Sequence, residues 1–148
     1  MLAGTRPALR LSRSTLEVLS LAIREARCRN QRTRPVHLLM AIAQRPTCGA
    51  GQVLQSLGVS LPLLYQSLFW FLGPPDPPAG GFSPEMQDLL RLAREEAYRM
   101  GHLYLRTEHF LSALLHSPGD PMALLLESLG VTPYHASRVW LVQARGRP

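Results

Sequence analysis

The side chains able to attack a bond, move a proton or grip a metal are two cysteines, five histidines and ten carboxylates, and all 16 basic residues are arginine. Without lysine the chain can form no Schiff base, and it cannot carry the G-x-x-x-x-G-K-[ST] loop that cradles nucleotide phosphates. No G-x-S-x-G elbow presents a serine. Cys28 stands near Arg24, Arg27 and Arg29, but no companion histidine is visible in the sequence. His102, His109 and His116 are spaced by seven. His109 and His116 can therefore share a helix face, yet the H-E-x-x-H pattern that sets two ligands one turn apart is missing. Cys28, His37 and Cys48 are too widely spaced for a zinc motif. These residues predict no enzyme, no metal site and no cofactor. His37 and His109 instead suggest a structural task, such as bonding a loop carbonyl.

Charge narrows what could be recognised. The formal net charge is +6, and nine arginines fall between Arg6 and Arg45, with Glu17 and Glu25 the only acids before Asp76. The cluster Arg24, Arg27, Arg29, Arg32 and Arg34 could neutralise phosphates, a task that suits guanidinium forks. No aromatic residues interleave with it and no DNA or RNA recognition module matches. A basic nucleic-acid-associated protein is thus the alternative reading, and a solvated helix end the plainer one.

At 148 residues, with 46% hydrophobic and 18% charged residues, the chain is expected to fold as one globular unit. Two cysteines are too few for a disulfide framework, which points to a reducing compartment. The longest apolar stretch, Leu61 to Leu72, is interrupted by Gln66 and Ser67, so no membrane span is expected. Arg6, Arg10 and Arg13, with no acid in the first sixteen residues, have the flavour of an organelle leader, but the segment is short and runs into an amphipathic helix. Residues 1–11 are expected as a flexible tail.

The two halves repeat each other. Gln55-Ser56-Leu57-Gly58-Val59-Ser60 recurs as Glu127-Ser128-Leu129-Gly130-Val131-Thr132, and His37, Leu39, Ala41 and Pro46 match His109, Leu111, Ala113 and Pro118 at the same offset. Ser12, Leu19, Ala22, Glu25 and Ala26 match Ser83, Leu90, Ala93, Glu96 and Ala97 with one residue of slippage. The period of about 72 residues exceeds that of common solenoids. The expected division is 12–72 and 82–144 as two repeats, 73–81 as a Pro/Gly linker that cannot hold a helix, and 145–148 as a tail.

Each repeat reads as four helices. Ser83 is an N-cap and Pro84 a first helical residue, followed by Met86, Leu89, Leu90, Ala93, Ala97 and Met100 at helical spacing up to Gly101. Thr107 is expected to cap a second helix, with Glu108 in its first turn, and Pro118 and Gly119 to end it. Met122, Leu125, Leu126 and Leu129 form a third stripe that Ala50, Val53, Leu54 and Leu57 repeat, with Gly58 and Gly130 as paired C-caps. Fourth helices are expected near Leu61 to Leu72 and Pro133 to Ala144, with Trp70 and Trp140 as bulky contacts. No strand is expected. Each repeat alone would be marginal, so their apolar faces should pack about a pseudo-twofold axis into one all-α domain.

Phe82-Ser83-Pro84, Ala93-Arg94-Glu95-Glu96-Ala97, Met100-Gly101-His102, Arg106-Thr107-Glu108-His109-Phe110-Leu111 and Leu126 to Val131 together resemble a repeat of the Clp unfoldase amino-terminal domain. The likeness extends over nearly the whole chain after Leu11. It implies a double four-helix repeat that docks adaptors or protein substrates, in a stand-alone form without ATPase modules. Some members of that family recognise phosphorylated arginine through a hydroxyl residue opening the first helix and the glutamate of the Thr-Glu-His run. By that resemblance the roles fall on Ser83 and Glu108. The chemistry is sound, because a carboxylate takes a guanidinium fork and a helix N-terminus accepts phosphate. In the first repeat Ser12 survives, but Pro35 and Val36 replace the threonine and glutamate, so that copy is not expected to bind.

A second candidate surface comes from Phe69, Trp70, Phe71 and Leu72, four apolar residues in a row that cannot all face inward. The reading is a non-catalytic protein-binding module for substrates, adaptors or Clp ATPase and protease subunits, acting as a monomer in the cytoplasm, with no membrane and no nucleic acid.

Overall fold

The helix signals of the sequence become eight helices in the computed structural model, which describes residues 8–76, 80–117 and 119–145. The first repeat contributes α1 (Arg13–Arg27), α2 (Pro35–Ala43), α3 (Gly49–Ser56) and α4 (Leu61–Leu68). The second contributes α5 (Pro84–Arg99), α6 (Thr107–Leu115), α7 (Pro121–Ser128) and α8 (Pro133–Arg145). Expectations for residues 1–7, 77–79, Pro118 and 146–148 fall outside the described residues.

Caps set the boundaries. The Ser12 hydroxyl accepts the Thr15 N–H at 3.2 Å and opens α1, as the Ser83 hydroxyl accepts the Met86 N–H at 3.1 Å and opens α5. After α3 the Val59 N–H donates to the Leu54 carbonyl (3.0 Å) and Gly58 N–H to that of Gln55 (3.0 Å). After α7 the same two bonds run from Val131 to Leu126 (2.9 Å) and Gly130 to Glu127 (3.0 Å). This 6→1 and 5→2 pair needs a left-handed residue, and Gly58 and Gly130 supply it at φ +87° and +86°.

Two expected boundaries are corrected. Thr107 is not the N-cap of α6 but its first residue; the cap is Arg106, whose backbone N–H donates to Nδ1 of His109 at 2.8 Å. The fourth helix of the first repeat stops at Leu68 and tightens into a single 3₁₀ turn, Phe69–Phe71. The turn lets Leu72 fold back into the core while Trp70 points outward, and Gln31 Nε2 holds the Leu72 carbonyl at 2.6 Å.

Every residue of α2 is buried, and in α6 only Ser112 is not. A helix buried on nearly every face belongs in the interior, and these two stand at the centre, flanked by α1 and α5 respectively. α3 packs on α6 and α8, and α2 contacts α5 and α7, so each repeat reaches into the other. One apolar core runs through both. The fold is an all-α tandem duplication packed about a pseudo-twofold axis.

Short strands, which the sequence did not lead one to expect, tie the repeats together. β1 (Arg10–Leu11) pairs in parallel with β2 (Tyr104–Leu105). Leu11 and Phe82 each precede the serine that opens a repeat, while Thr33 and Leu105 are equivalent, and Thr33 bridges Phe82 in parallel as Leu11 bridges Leu105. The bond from Ser12 N–H to the Leu105 carbonyl (3.2 Å) has its counterpart from Ser83 N–H to that of Thr33 (3.0 Å). Arg10 and Leu11, expected in a flexible tail, are therefore held: the Arg10 N–H donates to the Leu103 carbonyl at 3.3 Å. Pairs of residues are too short to show a period of two.

Gly58→Ala and Gly130→Ala meet no neighbour within 4 Å, so their cost is that of forcing a left-handed backbone on a side chain. Each should lower stability by roughly 1 kcal/mol and Tm by about 2–4 °C, read by thermal or urea unfolding, with the two effects adding.

Candidate functional site

Because the repeats cross, the start of each first helix meets the other repeat's second helix. The N-termini of α1, α3 and α6 converge on a cleft of about 520 Å³, lined by Ser12, Arg13 and Ser14, by Thr47 and Gly49, and by Arg106 and Glu108. Three helix N-termini and two guanidinium groups make it electropositive, with one carboxylate set in its wall.

That carboxylate is closely fitted. Glu108 is 4% exposed, and its Oε1 accepts from the Thr107 hydroxyl at 3.3 Å. The same hydroxyl accepts the Ala50 N–H at 3.0 Å, coupling Glu108 to the start of α3. Gly49 leaves the room: a Cβ there would fall 2.2 Å from the Glu108 carboxyl carbon. Beside it Cys48 caps α3 through its sulfur, which accepts the Gly51 N–H at 3.3 Å, and burial pushes its thiol pKa up.

Ser83 and Glu108, assigned together from the sequence, are not brought together. α5 and α6 form a hairpin, and the 16 residues of α5 rise roughly 24 Å between Ser83 and the end from which the chain returns to Glu108. Glu108 shares its cleft with Ser12. Ser83 belongs with Thr33, beside the pseudo-symmetric cleft of about 240 Å³ that holds Val36 where the first holds Glu108. Reasoning on the repeat missed Arg13, Arg106 and Gly49, although the equivalence of Arg34-Pro35-Val36-His37 and Arg106-Thr107-Glu108-His109 was legible.

The paired histidines do not bond loop carbonyls as expected. Their Nδ1 atoms accept the N–H groups of Arg34 (3.0 Å) and Arg106 (2.8 Å), which leaves the proton on Nε2. His37 Nε2 then donates to Gln31 Oε1 at 2.9 Å, and His109 Nε2 to His102 Nδ1 at 2.8 Å. Trp140 packs edge-on against both His102 and His109, whereas His116 turns to the Ser112 carbonyl. Among the described residues no group of three His, Cys, Asp or Glu side chains is placed to hold a metal.

The first-half arginines are partly spent within the fold. Arg29 donates to the Glu25 carboxylate at 2.8 Å and lies over the Phe69 ring, Arg45 pairs with Glu17, and Arg34 Nη2 donates to the Leu72 carbonyl. Of the predicted aromatic surface, Trp70 is 89% exposed and Phe69 46%, and Phe71 is half-buried; Leu63 of α4 is 63% exposed. Among the described residues no helix is long and apolar enough to cross a membrane.

A family model, the Clp repeat N-terminal domain, matches residues 81–141, the second repeat. Residues 81–141 form a Clp repeat. The chain is 27% identical over 126 residues to the chaperone protein ClpB of Oceanobacillus iheyensis, across 83% of this chain and 16% of the relative. It thus spans about a sixth of the length of that relative. The N-terminal domain of the ClpV1 ATPase from E. coli has the same fold, with TM-score 0.75 and 20% identity over 88% of this chain and 83% of that one. So has a ClpV N-domain in complex with a VipB peptide, with TM-score 0.70 and 18% identity over 84% and 87% of the two chains.

Burial holds His37 and His109 neutral, with pKa lowered from 6.5 to about 4, and the neighbouring Arg34 and His102 add to the effect. Unfolding lets both take a proton between pH 6.5 and 4, so they contribute stability that is whole above pH 6.5 and is lost as the pH falls toward 4. The loss should approach ~3 kcal/mol per histidine, read as the urea unfolding free energy at pH 7 and 4.5. Their imidazole resonances should half-titrate near pH 4; titration between 6 and 7 would contradict the assignment.

Proposed function

We propose that this chain is a non-catalytic protein-binding module, acting as a cytoplasmic monomer that engages protein substrates, adaptors or Clp ATPase and protease subunits. Residues 12–72 and 82–144 act as its two repeats. One observation carries the reading. Glu108, the Ser12–Ser14 start of α1, and the guanidinium groups of Arg13 and Arg106 line a single cleft. A phosphorylated arginine side chain matches both signs of charge there. Its guanidinium would meet Glu108, and its phosphoryl group would meet the N-terminus of α1 and the two arginines. The site is thus proposed as Ser12 with Glu108, and Ser83 is assigned to capping α5.

Two further observations support a peptide as the class of ligand. A domain of the same fold, the ClpV N-domain, has been solved with a VipB peptide. Phe69 and Trp70 also leave an aromatic edge on the outside of the first repeat, available as a second contact, whereas Phe71 packs against the core. The alternative of a basic nucleic-acid-associated protein using the first-half arginines is weakened by the engagement of Arg29, Arg34 and Arg45 inside the fold.

Titration of the whole chain with phosphoarginine, followed by amide NMR, tests the reading. Shifts should gather at Arg13, Ser14, Arg106 and Glu108. Glu108→Gln keeps the shape and removes the charge, and should weaken binding by about tenfold or more. Unmoved amides at these four positions would overturn the proposed ligand.

A further inference from the structure

The second cleft differs from the first in its chemistry as well as in lacking the glutamate. The N-termini of α2, α5 and α7 meet there as those of α6, α1 and α3 do in the first. Val36 stands for Glu108, Pro35 for Thr107, Glu85 for Ser14, Asp120 for Cys48 and Pro121 for Gly49. The wall has become apolar, with Val36 and Met122 each 3% exposed and Phe71 beside them. Its carboxylates lie further out than Glu108 does: Glu85 is exposed and Asp120 half-buried.

The charge balance is also inverted. The first cleft holds Arg13 and Arg106 against Glu108. The second holds Glu85 and Asp120 against Arg34, whose Nη2 is already bonded to the Leu72 carbonyl. Asp120 Oδ1 accepts the Met122 N–H at 2.8 Å, and Glu85 lies in the first turn of α5, so these two carboxylates offset the helix N-termini that would otherwise draw an anion. A cleft of about 240 Å³ is large enough for one long side chain.

We infer that the Val36–Glu85–Asp120 cleft binds a lysine or arginine side chain of a protein partner, its aliphatic stem against Val36, Phe71 and Met122 and its cationic head between Glu85 and Asp120. Long basic side chains bury their stems while keeping the charge at a polar rim, and their cationic head complements the two carboxylates at the edge of this apolar wall. The inference rests on the protein-binding reading and gives the second cleft a ligand different from that of the first. An added phosphoryl group would face Glu85 and Asp120, so phosphoarginine is excluded from this cleft.

The test is an amide NMR titration of the whole chain with N-acetyl-lysine methylamide and N-acetyl-arginine methylamide, with the N-acetyl-norleucine analogue as the neutral control. Both cations should shift Val36, Glu85 and Met122 and leave Arg13 and Glu108 in place. The neutral analogue, and the cations on the Glu85→Gln/Asp120→Asn protein, should bind about fivefold more weakly. Asparagine also caps helices, so an unchanged melting curve for the double variant shows that the loss belongs to charge. Equal binding of norleucine, no shift at Val36, or shifts at Glu108 instead would each overturn the inference. A phosphoarginine response at the Ser12–Glu108 cleft would stand or fall separately.

Discussion

The architecture depends on a crossed backbone pairing. Ser12 donates to Leu105, and Ser83 donates to Thr33, so each repeat starts on the loop between the first and second helices of the other. Two bonds of this kind are worth only about 1 kcal/mol each, far less than burial of the central helices. Their importance is geometric. They fix where the first helix of one repeat begins relative to the second helix of the other, and both clefts lie at that junction. Each cleft is therefore composite: repeat one supplies α1 and α3 to the first, and repeat two supplies α6.

Duplication then allows divergence without loss of the frame. His37 and His109 keep the same neutral form and the same bond to the N-cap backbone, through Arg34 and Arg106. Outward from that shared frame the two copies part. One Nε2 proton goes to Gln31, whose amide reaches the Leu72 and Pro74 carbonyls and holds the segment after α4. The other goes to His102, beneath Trp140 of α8. The exchange of Glu108 for Val36 belongs to the same pattern. Because a buried carboxylate without partners costs several kcal/mol, Glu108 comes with Thr107 beside it and Gly49 to clear its space, and the cleft with Pro35 and Pro121 has none of these provisions.

Much of this was legible in the residues. Serine caps at 12 and 83, glycines 58 and 130, and the apolar run of α2 determine local structure within a few residues, so sequence reasoning located the helices and the duplication. The family likeness lies in the same residues. What was illegible was non-local. A two-residue strand carries no alternation, so the β1–β2 pairing left no trace. Without that pairing, Glu108 was joined to Ser83 of its own repeat instead of Ser12 of the other. The break after Leu68 was hidden because Phe69 to Leu72 continues an apolar run, and only the carbonyl bonds from Gln31 and Arg34 show why it turns.

The crossing is most directly tested by paramagnetic relaxation in solution, with a spin label at Ser14→Cys or at Glu85→Cys in a chain whose exposed Cys28 is replaced by serine. The label at position 14 should broaden the amides of Arg106 to Glu108 and spare those of Arg34 to His37, and the label at position 85 should do the reverse. Broadening of Glu108 by the label at 85, with none from the label at 14, would mean that the repeats do not cross and that both composite clefts are wrongly assembled.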